Sequence, residues 1–375
     1  MATKTPLYDE HLALGGKMTE FAGWEMPLWY STGQTEEHHT TRKTCGLFDI
    51  SHMGEYEIRG TGAQAFLSRI LTNRVDQMED GQAMYHFMLN ESGGVVDDCI
   101  LCRFSGIRFM LVVNAGNIDT DFQWLSRHAT DDIELEDISN RIVKIDLQGP
   151  AAPRMLAGLM SRPEQLSHLK FFRFIDQVRI SGMPVLVSRT GYTGEIGFEL
   201  FTDSTYGVDL WRCLLNAGRA YGMLPCGLGA RDTLRTEAGL PLYGHELKAD
   251  RVAAGHPWPF VMDMKKDFIG KKALDRQVEK GVDYFVVPFK LDGKRKAMPG
   301  WTVLYDDGQI GSVLSGVISP TLGNQPIGFA GLSLDPGEDA VLKFKRPGRE
   351  DVLEGRIVSI PFVPLTSRKA MNLFL

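Results

Sequence analysis

The sequence predicts an α+β protein of two or three domains, the last of them built from β-strands alone. Three observations carry this. The chain has 375 residues, more than a single average core accommodates. Helical and strand-like patterns are interspersed up to residue 282. From Asp283 onward only short strand-like runs remain, separated by Gly, Pro or Asp.

The elements follow in order. Residues 8–46 read as an extended start, then a helix from about residue 35 to 44 carrying Glu36, Glu37, His38 and His39. Residues 48–58 alternate like one strand. A helix over about 62–70 shows Phe66 and Leu67 as its apolar stripe. Strands are predicted over 83–89, 95–104 and 109–113, then a helix over 117–128 with Phe122, Trp124 and Leu125 inward. Residues 142–158 read as a βαβ-like stretch. Strand-rich sequence returns at 178–188 and 198–201, with helices near 207–221 and 229–237. In the last part, 285–291, 302–305, 310–317, 327–332, 340–345 and 352–360 are short strands at regular spacing, a barrel or sandwich pattern. Residues 283–375 are therefore predicted as a separate all-β domain.

Composition narrows the function classes. Hydrophobic content of 43% and charge content of 23% are ordinary for a globular protein in water. A formal charge of −6 argues against nucleic acid as the partner, which requires concentrated Lys and Arg. No apolar run reaches the roughly 18 residues that a membrane span needs. The start, Met1-Ala2-Thr3-Lys4-Thr5-Pro6, lacks the apolar core of a secretory signal. Five cysteines, an odd number, fit a reducing compartment. The expectation is a cytoplasmic enzyme or binding protein. No metal is expected: Cys99 and Cys102 have no second pair, and the nine histidines form no H-x-H or H-x-x-x-H cluster. Cys99 and Cys102, three apart on a strand, are expected to be packed cysteines on opposite faces.

Chemistry concentrates in three places. The first is Gly93-Gly94-Val95-Val96-Asp97-Asp98-Cys99-Ile100-Leu101. Two adjacent carboxylates lie inside an apolar strand, so one must face a covered side. A buried carboxylate is costly unless it is paired, hydrogen-bonded or used. The second is Ser188-Arg189-Thr190-Gly191-Tyr192-Thr193-Gly194-Glu195-Ile196-Gly197-Phe198-Glu199-Leu200. Its glycines imply a tight turn or a backbone lying against a ligand. Glu199, between buried neighbours, can accept two parallel N–H donors, as from a pterin or guanine edge. The alternative is a residue on an exposed polar strand face. The third is Cys226-Gly227-Leu228-Gly229-Ala230-Arg231-Asp232. No Lys-Thr pair follows Gly-x-Gly, so the segment is a weak nucleotide signature. Arg231 sits where the helix dipole disfavours a cation, which points to a ligand carboxylate or a partner side chain. Asp232 and Glu237 are the ordinary helix partners.

With these segments in view, the chain resembles the glycine-cleavage T-protein family of tetrahydrofolate-dependent aminomethyltransferases. The resemblance runs nearly end to end. It includes Phe21-Ala22-Gly23-Trp24-Glu25-Met26-Pro27-Leu28, Gly46-Leu47-Phe48-Asp49-Ile50-Ser51-His52-Met53-Gly54, Val112-Val113-Asn114-Ala115, Leu147-Gln148-Gly149-Pro150 and Asp267-Phe268-Ile269-Gly270-Lys271, beside the three segments above. It implies a three-domain cloverleaf around a folate channel with a C-terminal barrel-like domain. Domain 1 would be discontinuous, residues 1–50 and 140–255, with domain 2 (51–139) inserted. Residues 256–282 would connect to domain 3 (283–375). It implies aminomethyl transfer from the lipoyl arm of a carrier protein to tetrahydrofolate, with ammonia released. Asp98 would hold the folate near its reacting nitrogens, and Glu199 and Arg231 would bind it. Met53, Tyr85, Asn114 and Tyr192 would line the folate site.

The chain departs from the family at Arg251-Val252-Ala253-Ala254-Gly255-His256-Pro257-Trp258, where Ala253 replaces a glutamate and His256-Pro257 replace Leu-Gly. This stretch is expected to govern the donor rather than the folate. Three functions are therefore carried forward: the aminomethyltransferase, a folate-dependent methyltransferase or demethylase with a small-molecule donor, and a non-catalytic folate-binding regulator. The first is preferred, because the match is long and the departures are local.

Overall fold

The computed structural model describes residues 2–375. A six-stranded sheet runs in the order Phe174–Ile180, Met183–Ser188, Gly197–Asp203, Ile142–Gln148, Gly46–Asp49, Leu224–Pro225. All its pairings are antiparallel except the last. One face is dry: Val143, Ile145 and Leu147 point toward the helix Ser204–Gly218 and pack with its Leu210, Trp211 and Leu214. A five-stranded antiparallel sheet is ordered Gln82–Leu89, Val95–Ser105, Arg108–Val113, Gly54–Arg59, Glu134–Asp137. The helices Ala63–Ile70 and Ile118–His128 cover one of its faces through Phe66, Leu67, Trp124 and Leu125.

The uncovered faces of the two sheets meet. Ala83, Cys102, Met110 and Val112 of one pack with Phe174, Leu186 and Phe201 of the other. Cys99 belongs to the helix-covered core and Cys102 to this second one, as the period of two requires.

The C-terminal strands close into a six-stranded barrel, Phe285–Leu291, Gln325–Leu332, Gly308–Ser319, Thr302–Tyr305, Val341–Lys345, Val352–Ile357. Closure leaves no strand edge unpaired. Among the described residues no helix is long and apolar enough to cross a membrane.

The structure corrects four local expectations. The alternating run 48–58 is two strands in two different sheets, Gly46–Asp49 and Gly54–Arg59. Asp49 Oδ1 accepts from the Ser51 N–H at 2.9 Å, an Asx turn that breaks the ladder and sends the chain to the other sheet. Residues 142–158 are a strand and a short helix, but the strand's neighbours are antiparallel, so no βαβ unit forms. Residues 178–188 belong to a hairpin of Phe174–Ile180 and Met183–Ser188, turning at Ser181 and Gly182, both with positive φ. The start is a helix, Tyr8–Ala13, and a small sheet with strands Lys17–Phe21 and Trp24–Trp29.

The departing stretch 251–258 also lies differently from expectation. Ala253 and Trp258 are buried in a core shared by Phe87, Leu89 and Val95 of the five-stranded sheet and Val286 and Phe329 of the barrel. Of its eight residues only Trp258 borders the cavity described next. Through these residues the stretch packs between the five-stranded sheet and the barrel.

Candidate active site

The strand Val95–Ser105 enters from a tight turn. Asn90 Oδ1 accepts from the N–H groups of Ser92 and Gly94, each at 3.0 Å. A Cβ on Gly94 would stand 1.9 Å from the Ala249 carbonyl oxygen, so no other residue fits there. The ladder slips one residue between Met88 and Leu89, a bulge that fixes which aspartate faces which way. Asp97 points into the helix-covered side and is fully buried. Asp98 points the other way, into a cavity of about 820 Å³. That size and mixed polar and apolar lining suit a drug-sized organic ligand.

All seven residues singled out in the sequence line this one cavity: Met53, Tyr85, Asp98, Asn114, Tyr192, Glu199 and Arg231. They come from six different stretches of chain, and the fold alone brings them together. Asp98 accepts from the Tyr85 hydroxyl at 2.8 Å and from Asn114 Nδ2 at 2.9 Å. Asn114 Nδ2 lies equally 2.9 Å from Asp97 Oδ1. One amide thus straddles both aspartates from the end of the neighbouring strand. Burial, and then the Asp97 charge, push the Asp98 carboxyl up to about 7.

Across the cavity, Glu199 stands directly opposite Asp146 in the six-stranded sheet. Lys144 Nζ is 3.3 Å from Glu199 Oε1, and the Thr190 hydroxyl donates to Oε2. Lys144 also reaches Met53 Sδ at 3.6 Å. Glu199 is buried on the cavity face, which removes the exposed-face alternative. Arg231 Nη1 donates to Asp146 Oδ2 at 2.9 Å, and the guanidinium lies 4.7 Å from the Tyr192 ring centre. Its ordinary helix partners are taken elsewhere: Asp232 pairs with Arg235, and Glu237 with Arg42. The Tyr192 hydroxyl donates to the Pro241 carbonyl, which fixes its ring. The glycine-rich segment is tight for an internal reason: a Cβ on Gly191 or Gly197 would collide with the Gln148 side chain.

Comparison with known proteins settles what this arrangement is related to. Residues 7–266 match the family described as the GCVT N-terminal domain. The chain is 43% identical over 372 residues to an aminomethyltransferase of Anoxybacillus flavithermus, covering 98% of this chain and 100% of that one. It is 45% identical over 337 residues to an aminomethyltransferase of Halalkalibacterium halodurans, covering 89% and 91%. The chain belongs to the aminomethyltransferase family. A crystal structure of glycine cleavage system aminomethyltransferase T from Bartonella henselae superposes with a TM-score of 0.89 at 32% identity, covering 98% of this chain and 100% of that one.

Members of the aminomethyltransferase family are transferases, and this chain is one of them. Sequence reasoning missed several residues at its site. His52 lines the cavity, buried, with Nδ1 unpartnered; burial pushes it down to about 3, so it is a neutral imidazole. Lys144 and Asp146 hold Glu199 and Arg231 in place. The signal that marks them is the alternation Lys144, Asp146, Gln148 along a strand whose other face, Val143, Ile145 and Leu147, is core. A charged period-two face on a central strand must look at something polar.

Proposed function

We propose that this protein transfers an aminomethyl group from the lipoyl arm of a carrier protein to tetrahydrofolate, giving 5,10-methylenetetrahydrofolate, ammonia and the reduced lipoyl thiol. The observation that carries the reading is the Asp98 carboxylate, held by Tyr85 and Asn114 on the wall of a ligand-sized cavity, with Glu199 on the opposite wall. Family membership supports the same reaction.

The residues present fit a folate. Glu199 retains lone pairs beyond those used by Lys144 and Thr190, and so can accept paired N–H donors of a pterin edge. Tyr192, packed under Arg231, offers a flat apolar wall, and Met53 and Ile100 extend it. Tetrahydrofolate supplies the nucleophilic nitrogen and takes up the one-carbon unit.

The chain's own part is electrostatic. Asp98 is the fixed anion nearest the reacting atoms. It stabilises positive charge that develops as the amine leaves the sulfur-bound methylene, and it orients the attacking nitrogen. Asn114 and Tyr85 keep that carboxylate from rotating. The low-dielectric walls magnify its effect. No Ser-His or Cys-His pair lies among these residues, and none is required. The test mixes the protein with tetrahydrofolate and an aminomethyl-loaded lipoyl carrier, then follows ammonia and methylenetetrahydrofolate together. Stoichiometric release of both is expected. Tight folate binding without turnover would favour a small-molecule one-carbon donor instead.

A further inference from the structure

Behind Asp98, on the opposite face of the same strand, a second acidic pair has no part in the reaction just described. Asp97 and Asp121 are both fully buried. Asp121 belongs to the helix Ile118–His128, which packs on the sheet through Trp124 and Leu125. Its carboxyl faces that of Asp97 within hydrogen-bonding reach. Among the described residues no N–H or O–H of any other group reaches either Asp121 oxygen. Two carboxyl oxygens attract only when one of them carries a proton. Asp97 already receives three N–H donors: the Asn114 backbone at 3.0 Å, Asn114 Nδ2 at 2.9 Å and Asn117 Nδ2 at 2.8 Å. Those donors favour an anion at Asp97, so the shared proton rests on Asp121. The charged groups that act on Asp121 are Asp97 and Asp98 alone, with no cation to draw its proton off.

We propose that Asp121 is a positioning residue of the active site: a permanently protonated carboxyl that donates its O–H to Asp97 and so keeps a fixed negative charge beside Asp98. The proposal rests on the role given above to Asp98. Burial, then the Asp97 charge and hydrogen bond, push Asp121 up to about 11, well clear of any working pH. The same Asp97 charge, after burial, lifts Asp98 to about 7. Remove the charge on Asp97 and Asp98 ionises at lower pH.

The other titratable neighbours stay neutral. Tyr85 on the adjacent strand and Tyr192 across the cavity face Asp98, Cys99 on the same strand faces the Asp97–Asp121 side, and burial raises each of them. Tyr56 and Tyr243 face the Asp97–Asp121 pair from the strand Gly54–Arg59 and from the chain beyond the helix Leu228–Glu237, and burial raises these too. Asp119 and Asp137 stand beyond Tyr56, and Arg231 and Arg235 beyond Tyr192.

Two substitutions separate this role from a packing role. Asp121→Asn still donates an N–H to Asp97, so the acid limb of the kcat/KM profile should stay in place. Asp121→Leu removes the donor, and Asp97, still buried, then takes up a proton from solvent. The limb should then shift about one pH unit lower. A folded Asp121→Leu protein with an unmoved limb overturns the proposal, as does an Asp121→Asn shift as large as that of Leu. A second measurement needs neither turnover nor the Leu variant. An infrared difference spectrum of wild type against Asp121→Asn at about pH 9, where ordinary carboxyls are ionised, should show a protonated-carboxyl C=O band in wild type only. Absence of that band overturns the proposal while leaving the aminomethyl-transfer reading untouched.

Discussion

Asp97 and Asp98 are chemically identical neighbours with opposite surroundings, and their predicted substitutions differ accordingly. Asp98→Asn should lower kcat on the order of a hundredfold, as for the loss of one preorganised electrostatic group, with folate affinity little changed. Asp97→Asn should cost less rate and more stability, because Asp97 accepts three N–H groups inside the core. A larger loss of rate from Asp97→Asn in a stable protein would reverse the assignment. The sign of the pH effect follows from the raised Asp98 value of about 7. The carboxylate, the form that acts in the proposed reaction, accumulates as pH rises through that value, so kcat/KM should climb through neutrality. Asp98→Asn should flatten that climb. Opposite, Glu199→Gln turns one acceptor into a donor, and should weaken folate binding by about 1–3 kcal/mol by calorimetry. Unchanged affinity would make Glu199 a structural partner of Lys144 only.

At the scale of elements, the helix Leu228–Glu237 is the joint between the cavity-facing six-stranded sheet and the barrel. Its Arg231 looks into the cavity, while its last residue, Glu237, accepts from Ser319 and Thr321 of the barrel side and from Arg42 of the helix Gln34–Lys43. Burial by itself would raise Glu237, but the hydrogen bond and charge of His38, then the Arg42 charge and the Ser319 hydrogen bond, outweigh it and hold the carboxyl down to about 2. Burial pushes His38 itself down, so near neutral pH His38 is a neutral donor and Arg42 the cation of the cluster, and His38 adds its charge only as the pH falls. A depressed folded value stabilises above the ordinary carboxylate range and is lost as pH falls toward 2. Glu237→Gln should destabilise by about 3 kcal/mol in urea unfolding at neutral pH and reduce the acid sensitivity of unfolding. Equal stability of the two proteins would remove Glu237 as the tie. This scale is also where the sequence was only partly legible. The barrel strands and the helices over 117–128 and 229–237 show in local periodicity. The break at Asp49-Ile50-Ser51 does not, because the alternation of apolar residues continues through an Asx turn. The partner of Arg231 was equally invisible, since Asp146 lies 85 residues away in sequence and meets it only across the sheet.

At the scale of the whole molecule, three sheets and a barrel surround one cavity, and the seven sequence-selected residues converge on it. Their convergence was legible only through family resemblance, since nothing in local pattern joins Met53 to Arg231. The departing stretch 251–258 read from sequence as a donor-side change; its Ala253 and Trp258 are core residues between sheet and barrel, and replacement at a packed seam looks the same in sequence as replacement at a site. A seam change leaves the chemistry alone, so turnover with the carrier-borne donor should be robust. The most direct measurement compares wild type and Asp98→Asn in a single-turnover mixture of tetrahydrofolate and aminomethyl-loaded lipoyl carrier, with folate binding measured on the same samples. Wild type should give ammonia and methylenetetrahydrofolate in equal amounts, and the variant a rate on the order of a hundredfold lower at similar folate affinity. Equal rates from the two proteins, or no ammonia from a wild type that binds folate tightly, would contradict it.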